Sequence, residues 1–277
     1  MLGRAALVTP KRPNGRFIMA LAENSTLITT ATKFAVANNG VNDVYSDVET
    51  GTSADQAVAY VFSAGNTGDD RLESFNHNDS VVNYQAIFDG NNDGIINFGA
   101  NGVLDIDRVN RRQAGADQIT VGSNQEIQNL RFLGSKDGGF VYADYRTYTQ
   151  LDATTSKTLA ESTVNNDTFS AGDGDKVFLF DTALGLNLGA DTITDFGVGD
   201  ELVTTTAIHN GPDAGALVTF GRNGVLDLPG DTNGIKGDIG PVEGGQIEFG
   251  ANLRLSLLAT EEGANGATYY HYGLLGA

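Results

Sequence analysis

The chain contains, at positions 98–106, the stretch Phe98-Gly99-Ala100-Asn101-Gly102-Val103-Leu104-Asp105-Ile106, and it returns almost unchanged at positions 220–228. Seven of the nine positions are identical, and another exchanges Ile106 for Leu228. Each copy joins a glycine turn to a short apolar segment, which is typical of strands connected by tight turns. A segment that recurs in this way indicates a repeated structural unit.

The similarity extends to both sides of the nine residues. Upstream, Asp79 corresponds to Asp200, and Asn42-Asp43 corresponds to Asn166-Asp167; downstream, Gln118-Ile119 corresponds to Gln246-Ile247. We therefore predict a tandem duplication. The predicted organisation is an N-terminal extension at 1–39, unit 1 at 40–150, a linker at 151–162 and unit 2 at 163–277.

The composition favours an all-β protein. The 277 residues include 36 Gly, and short runs of alternating apolar residues are separated by Gly, Asn and Asp. Such runs predict short strands, whereas long amphipathic helical patterns are not evident. We expect two tandem related β units, each a short β-roll or β-sandwich, with few or no long helices.

The charge narrows the choice of partners. A formal net charge of −18 argues against nucleic acid and against an anionic membrane surface, because both attract Lys and Arg. No apolar run approaches the ~20 residues that span a membrane. The absence of Cys excludes a disulfide scaffold and thiol catalysis. The acidity itself has two explanations, which are solubility and the binding of hard cations.

Residues 1–18 differ from the rest of the chain, because they carry four basic residues and no acid. Their apolar run, Ala5 to Val8, is shorter than the ~7–15 residues of a signal-peptide core. We expect this stretch to be disordered, and Met19 could be the true start. No cleavable signal is visible from either start.

The strongest ligand pattern is Asp89-x-Asn91-x-Asp93-Gly94, followed by Asn97. It resembles the first part of an EF-hand-like or dockerin-like calcium loop, in which alternate side-chain oxygens converge on one ion and Gly permits the sharp turn. Position 12 of such a loop, counted from Asp89, is normally an acid but is Ala100 here. Asp105 or Asp107 could fold back to complete the site. The alternative is an Asx-rich hairpin turn without metal.

A second pattern lies at 165–200 and includes Gly172-Asp173-Gly174-Asp175 and Gly189-Ala190-Asp191-Thr192-Ile193-Thr194-Asp195-Phe196. It resembles the glycine-rich nonapeptide of RTX calcium-binding proteins and the segment that closes the β-roll in serralysin-type secreted proteases. That resemblance implies a calcium role for Asp173, Asp175, Asp191 and Asp195. It also implies export by a type I route without a cleaved signal, and folding outside the cell.

This segment departs from the family pattern at two positions. Ala171 replaces the first glycine, and Lys176 stands where a chelating aspartate belongs. The Lys176 ammonium would repel a cation, or it could substitute for one by pairing with Asp173 or Asp175. Barely one repeat is present, whereas a stable roll needs about three.

Catalytic patterns are weak. The sequence has no H-E-x-x-H and no G-x-S-x-G, and its three histidines lack partners at zinc-ligand spacing. Acid pairs such as Asp69/Asp70 and Glu261/Glu262 could serve a carboxylate-dependent hydrolase, but 35 acids make such pairs common by chance.

The preferred hypothesis is a secreted, Ca²⁺-dependent structural or surface protein of an extracellular layer, matrix or filament, without enzymatic activity. Self-association into an oligomer or polymer is expected through exposed strand edges and the apolar C-terminal residues. The alternative is a carbohydrate-binding or adhesion module that uses glycan contacts near Tyr269–Tyr272, although a closing strand explains those tyrosines as well. The hydrolase is the third hypothesis.

Overall fold

The computed structural model describes residues 26–36, 39–46, 56–63, 65–112, 115–122, 126–211, 214–229 and 244–276, with the backbone alone for 32–35. The predicted disordered stretch 1–18 and the alternative start Met19 lie outside the described residues. Within the described ranges the protein is mostly β, as predicted, with one α-helix of 10 residues.

Unit 1 comprises the described residues from Ala31 to Tyr145, and it holds ten strands in the described ranges. They are β1 (Thr32–Ala35), β2 (Val44–Tyr45), β3 (Val58–Phe62), β4 (Asp70–Leu72), β5 (Ser80–Asn83), β6 (Ile95–Asn97), β7 (Leu104–Asp105), β8 (Gln118–Val121), β9 (Asn129–Lys136) and β10 (Gly139–Asp144).

Unit 2 comprises Thr26–Thr30 and the described residues from Arg146 onwards. Helix α1 (Tyr145–Thr154) leads into it, and a 3-10 turn lies at Thr182–Leu184. Its strands in the described ranges are β11 (Thr158–Glu161), β12 (Thr168–Ser170), β13 (Lys176–Phe180), β14 (Ala190–Thr194), β15 (Glu201–Thr204), β16 (Leu226–Asp227), β17 (Gln246–Phe249), β18 (Leu255–Glu262) and β19 (Thr268–Leu274).

Both units are built from two sheets with the same strand order. Unit 1 has the orders β1-β3-β5-β10-β9-β6 and β2-β4-β8-β7, and unit 2 has β11-β13-β15-β19-β18 and β12-β14-β17-β16. In each sheet the first three strands are parallel, and the strands that follow are antiparallel. Through the first five strands of each unit, the chain alternates between the two sheets, which is the winding of a short β-roll.

The registers of the two units correspond residue by residue. Leu104 pairs with Ile119 in unit 1, and Leu226 pairs with Ile247 in unit 2. In the place of β6, unit 2 has only an isolated bridge between Leu217 and Ser256. The two copies of the nine-residue stretch therefore occupy the same position in their respective folds.

Apolar alternation places a core between the two sheets of each unit. In unit 1, one cluster joins Tyr60 and Val81 of the larger sheet to Leu72 and Val121 of the smaller sheet. In unit 2, the Phe178 ring lies 5.7 Å from that of Phe169 and 6.1 Å from that of Phe196.

The predicted linker at 151–162 contains the end of α1 and the whole of β11. Leu151 is buried and packs in one cluster with Val177 and Leu179, so that α1 covers the other face of the larger sheet of unit 2. The apolar spacing of this short helix is weak, which explains why the sequence analysis did not predict it. The predicted extension likewise contributes β1, which pairs with β3.

Buried aspartates connect successive turns of each roll. The Asp79 carboxylate accepts hydrogen bonds from the backbone N–H of Val58 at 2.9 Å and of Asn76 at 2.8 Å. In unit 2 the Asp200 carboxylate accepts from the N–H of Lys176 at 2.9 Å and of Gly197 at 2.8 Å. These carboxylates satisfy backbone donors at strand starts and turns that the sheets leave unpaired.

A second pair of aspartates accepts hydrogen bonds from backbone N–H groups on the smaller sheets. Asp70 accepts a hydrogen bond from the Asp43 N–H at 2.9 Å, and Asp191 accepts one from the Asp167 N–H at 2.7 Å. Both carboxylates belong to residues that are only 2% exposed. Because buried charges are costly without partners, these bonds fix how one turn of the roll follows the next.

Tyrosines at corresponding positions of the two units also accept hydrogen bonds from backbone N–H groups. The Tyr142 hydroxyl accepts a hydrogen bond from the Ile87 N–H at 2.8 Å, and the Tyr272 hydroxyl accepts one from the Ile208 N–H at 3.0 Å. Burial raises the pKa of Tyr142 to about 12 and also raises the pKa of Tyr272. Both hydroxyls therefore stay protonated at neutral pH.

The substitution Asp79→Asn should lower the free energy of unfolding by about 1–3 kcal/mol, because a neutral amide offers only one oxygen to two backbone donors. Asp200→Asn should have a similar effect in unit 2. Urea denaturation followed by circular dichroism measures both. Asp69→Asn, at an exposed neighbouring aspartate, is the control and should change stability by less than about 0.5 kcal/mol. Equal effects of D79N and D69N would contradict the structural role of Asp79.

Candidate functional site

The loop of residues 89–97 in unit 1 is anchored at both ends by buried side chains. Before it, Ile87 is 5% exposed and its N–H is held by Tyr142. After it, Ile96 is 3% exposed and pairs with Leu130 of β9. The intervening polar residues are therefore displayed on a fixed base.

The Asp89 carboxylate organises the interior of this loop. One oxygen accepts hydrogen bonds from the N–H groups of Asn91 at 3.1 Å and Asn92 at 3.0 Å, and the other accepts from the Gly94 N–H at 2.7 Å. The Asp93 carboxylate accepts from the Ile95 N–H at 2.8 Å. The backbone therefore wraps around one carboxylate, with its N–H groups pointing inwards.

Two residues with a left-handed backbone conformation make the turn that closes the loop. Asn92 has φ 57° and Gly94 has φ 81°. A side chain at Gly94 would meet nothing within 4 Å, so conformation and not crowding explains this glycine. The result places the side chains of Asn91 and Asp93 next to each other, with the Asn91 amide donating to Asp93 at 2.6 Å.

Three other predicted ligands of unit 1 have partners of their own. The Asn97 amide donates to the Ile95 carbonyl at 3.4 Å. Asp105 accepts a hydrogen bond from the Gln118 amide at 2.6 Å, and Asp107 accepts bonds from the N–H groups of residues 116 and 117. Asp105 and Asp107 thus hold the start of β8.

In the part of the chain that the structure describes, no three His, Cys, Asp or Glu side chains gather closely enough to hold a metal ion. Asp89 and Asp93 share the loop, and neither Asp105 nor Asp107 joins them in such a group. A cation at this loop would depend on amide and carbonyl oxygens as well as on carboxylates, which is chemistry that suits calcium.

The predicted ligands of unit 2 are dispersed. Asp173 and Asp175 are exposed on one turn, and Asp195 is exposed with φ 62°. Asp191 is buried, where it accepts hydrogen bonds from the Ser162 hydroxyl at 2.7 Å and from the Asp167 N–H. Asp173 and Asp175 thus share an exposed turn, whereas Asp191 has a structural role.

Lys176 takes a defined position beside that turn. Its ammonium donates a hydrogen bond to the Ser170 carbonyl at 2.5 Å and lies near Gly172. A positive charge is thus placed on the acidic turn by the protein itself. The sequence suggested that Lys176 could pair with Asp173 or Asp175, whereas the hydrogen bond of its ammonium goes to the Ser170 carbonyl.

The C-terminal tyrosines belong to β19, so the closing strand accounts for them. Tyr269 is 1% exposed and Tyr272 is fully buried, and the intervening Tyr270 is half-buried. Of the acid pairs, Asp69 is exposed and Asp70 is buried in its bond to Asp43. Tyr269 and Tyr272 are therefore not exposed to a glycan, and Asp69 and Asp70 do not form an exposed pair of acids.

Sequence reasoning missed a charged cluster on the larger sheet of unit 2. Glu201 receives hydrogen bonds from the Lys157 ammonium at 2.5 Å and from Nδ1 of His271 at 2.8 Å. The other ring nitrogen of His271 lies 3.8 Å from Glu261. These residues come from three strands and a turn, and only the register of the sheet brings them together.

The bond from His271, reinforced by Lys157, lowers the pKa of Glu201 from its ordinary value of 4.5 to about 2, while partial burial opposes the change. The ionised carboxylate is therefore favoured in the folded protein. It follows that Glu201 contributes stability at pH values above 4.5, and that this contribution is lost as the pH falls towards 2.

Sequence reasoning also missed Arg108 and Arg111, which line a pocket beside the 89–97 loop. Three arginines occur within residues 108–112 of a chain that has 17 basic residues against 35 acids. That local excess of positive charge is the signal by which the sequence could have indicated them.

Replacing Glu201 by Gln should destabilise the protein at pH 7 by about 1–2 kcal/mol, because the charge-assisted bonds are lost. The difference in unfolding free energy between E201Q and the unmodified protein should shrink as the pH is lowered from 5 to 3, because the stabilisation from the ionised Glu201 declines below pH 4.5. Urea denaturation at several pH values measures it, and Glu248→Gln, at an exposed position of β17, is the control. A difference that stays constant with pH would contradict this assignment.

Comparisons with known proteins leave the chain without an assigned family. No family model, no curated protein and no solved structure matches it. Within the described ranges, no helix is long and apolar enough to cross a membrane.

Proposed function

We propose that the protein is a secreted, calcium-binding structural protein that forms part of an extracellular layer, matrix or filament. Its calcium is assigned to the 89–97 loop of unit 1. The observation that carries this proposal is the hydrogen bonding of Asp89, whose two oxygens hold three backbone N–H groups and so shape the loop before any ion binds. A preorganised loop loses less entropy on binding a ligand.

The oxygen atoms required for calcium are available at the correct intervals. Asp89, Asn91 and Asp93 occupy alternate positions, and a carbonyl two residues further on, that of Ile95, corresponds to the backbone ligand of such loops. Rotation of the Asn91 amide would replace its hydrogen bond to Asp93 by an oxygen ligand. A bound cation would also relieve the repulsion within a chain of net charge −18.

Self-association is supported by an end strand with exposed apolar side chains. Strand β18 is last in the order of its sheet. Residues 215–218 pair with its first part, from Leu255 to Leu257, whereas Leu258 follows that part and is 47% exposed. Leu275, after β19, is 42% exposed. End strands offer unpaired backbone groups to another chain, and apolar side chains beside them favour pairing. We propose that copies of the protein join at this edge.

Saturating calcium should raise the melting temperature by about 5–10 °C relative to protein in a chelator, at a calcium concentration about 100-fold above Kd. The double variant D89N/D93N should lose this calcium-dependent increase, because the loop then lacks both carboxylates. D173N/D175N removes the same charge from the exposed turn of unit 2 and should retain it. An increase that survives in D89N/D93N, or none in the unmodified protein, would refute the assignment.

The substitution Leu258→Glu should prevent calcium-dependent assembly, because it places a charge at an exposed position of β18, just beyond the part that residues 215–218 cover. Electron microscopy and light scattering after calcium addition measure assembly. Val198→Glu is the matched control, because Val198 is 74% exposed and lies on a turn. Assembly of L258E to the same extent as V198E would show that copies do not join at this edge.

A further inference from the structure

A pocket of about 460 Å³ lies in unit 1 beside the 89–97 loop. Its volume falls within the ~300–1,000 Å³ of small-molecule sites. The residues that matter for its chemistry are two arginines, two amides and two apolar side chains: Arg108, Arg111, Asn91, Asn97, Phe88 and Ile95.

The two guanidinium groups are held in place by neutral partners. Arg108 donates from Nε to the Asn110 carbonyl and from Nη2 to the Arg111 carbonyl, both at 2.8 Å. Its guanidinium carbon lies 5.7 Å from the centre of the Phe88 ring. Arg111 donates from Nη2 to the Gly90 carbonyl at 2.7 Å. Hydrogen bonds to carbonyls orient both arginines without cancelling their charge.

Carboxylates neutralise this pair poorly. The Asp105 carboxylate lies 3.9 Å from Arg108, which is a loose contact, and in the described ranges no carboxylate lies within ion-pair distance of Arg111. This is unexpected in a chain with 35 acids and 17 bases. A positively charged pocket in an acidic protein is therefore suited to an anionic ligand.

The remaining lining defines the ligand more closely. Guanidinium groups match carboxylates in a planar, two-bond geometry. The amides of Asn91 and Asn97 can donate to and accept from hydroxyl groups, whereas Phe88 and Ile95 provide apolar contacts for carbon–hydrogen faces. A ligand with one carboxylate, several hydroxyls and an apolar face satisfies all three requirements. We propose that this pocket binds a uronic acid residue of an acidic polysaccharide.

Unit 2 differs at the corresponding positions. The matching bonds of Tyr142 to Ile87 and of Tyr272 to Ile208 place His209 where unit 1 has Phe88. The His209 ring packs against Tyr272 at 5.7 Å, and its Nδ1 is hydrogen-bonded to the Tyr272 hydroxyl. The saccharide site is accordingly assigned to unit 1 alone, independently of whether calcium binds.

Binding is tested by calorimetry with a tetramer of galacturonic acid, in a chelator so that calcium cannot bridge protein and ligand. The unmodified protein should bind the uronate tetramer and not a neutral galactose tetramer. Arg111→Ala should weaken binding at least about tenfold, since bonds to a charged group are lost. Arg222→Ala removes an exposed arginine of unit 2 and should leave the affinity unchanged. No uronate binding, equal binding of the neutral tetramer, or equal affinities of R111A and R222A would overturn the proposal.

A second variant protects the test against loss of folding. A methyl group on Gly90 would lie 3.2 Å from Nε of Arg111, so Gly90→Ala should displace this guanidinium and weaken uronate binding without removing charge. Unchanged uronate affinity in G90A would count against a role for the position of Arg111. A sulfated galactose tetramer that binds as tightly as the uronate would overturn the carboxylate assignment.

The calcium and saccharide proposals can fail separately. R111A should retain the calcium-dependent rise in melting temperature, since Arg111 contacts the Gly90 carbonyl and none of the three side chains assigned to calcium. If the unmodified protein binds the uronate tetramer but its melting temperature does not rise with calcium, only the calcium assignment is refuted. Loss of uronate binding with a retained calcium response in the unmodified protein would refute the saccharide site alone.

Discussion

The fold depends on hydrogen bonds from backbone N–H groups to buried carboxylates. Asp79 and Asp200 each hold two backbone donors, and Asp70 and Asp191 tie the smaller sheets in the same way. Parallel strands in a roll need turns whose donors the sheets cannot satisfy, and a buried anion satisfies several of them at once. Removing one would leave buried donors without partners, which is costly.

This requirement separates the aspartates into two groups. The first group is buried and joins successive windings of the roll. In unit 2, Asp167 and Asp191 are 24 residues apart, as are Lys176 and Asp200, so one bond on each sheet spans the same interval. The second group lies at the surface: Asp89 is half-buried, and Asp93, Asp173 and Asp175 are exposed. Only Asp89 in that group wraps its own loop around its carboxylate, and this is why we assign calcium to unit 1.

The sequence predicted the β class because apolar alternation and glycine turns are local features. Helix α1 and strand β11 were missed, because Leu151 and the short run at 158–161 acquire meaning only when packed on β13. Spacing could suggest Asp191 as a ligand, but only burial reveals its bonds to Ser162 and Asp167. Arg108 and Arg111 stand out in the sequence only as a local excess of positive charge, and the geometry of their loop brings both to one pocket.

The central claim is that calcium binds the 89–97 loop and that the buried aspartates serve the fold. Anomalous diffraction from crystals grown with calcium tests it most directly. The account predicts a peak enclosed by Asp89, Asn91 and Asp93, with the Asn91 amide rotated away from its bond to Asp93, and no peak at Asp191. An empty 89–97 loop in a calcium-containing crystal, or an ion bound in place of the hydrogen bonds of Asp191, would contradict it.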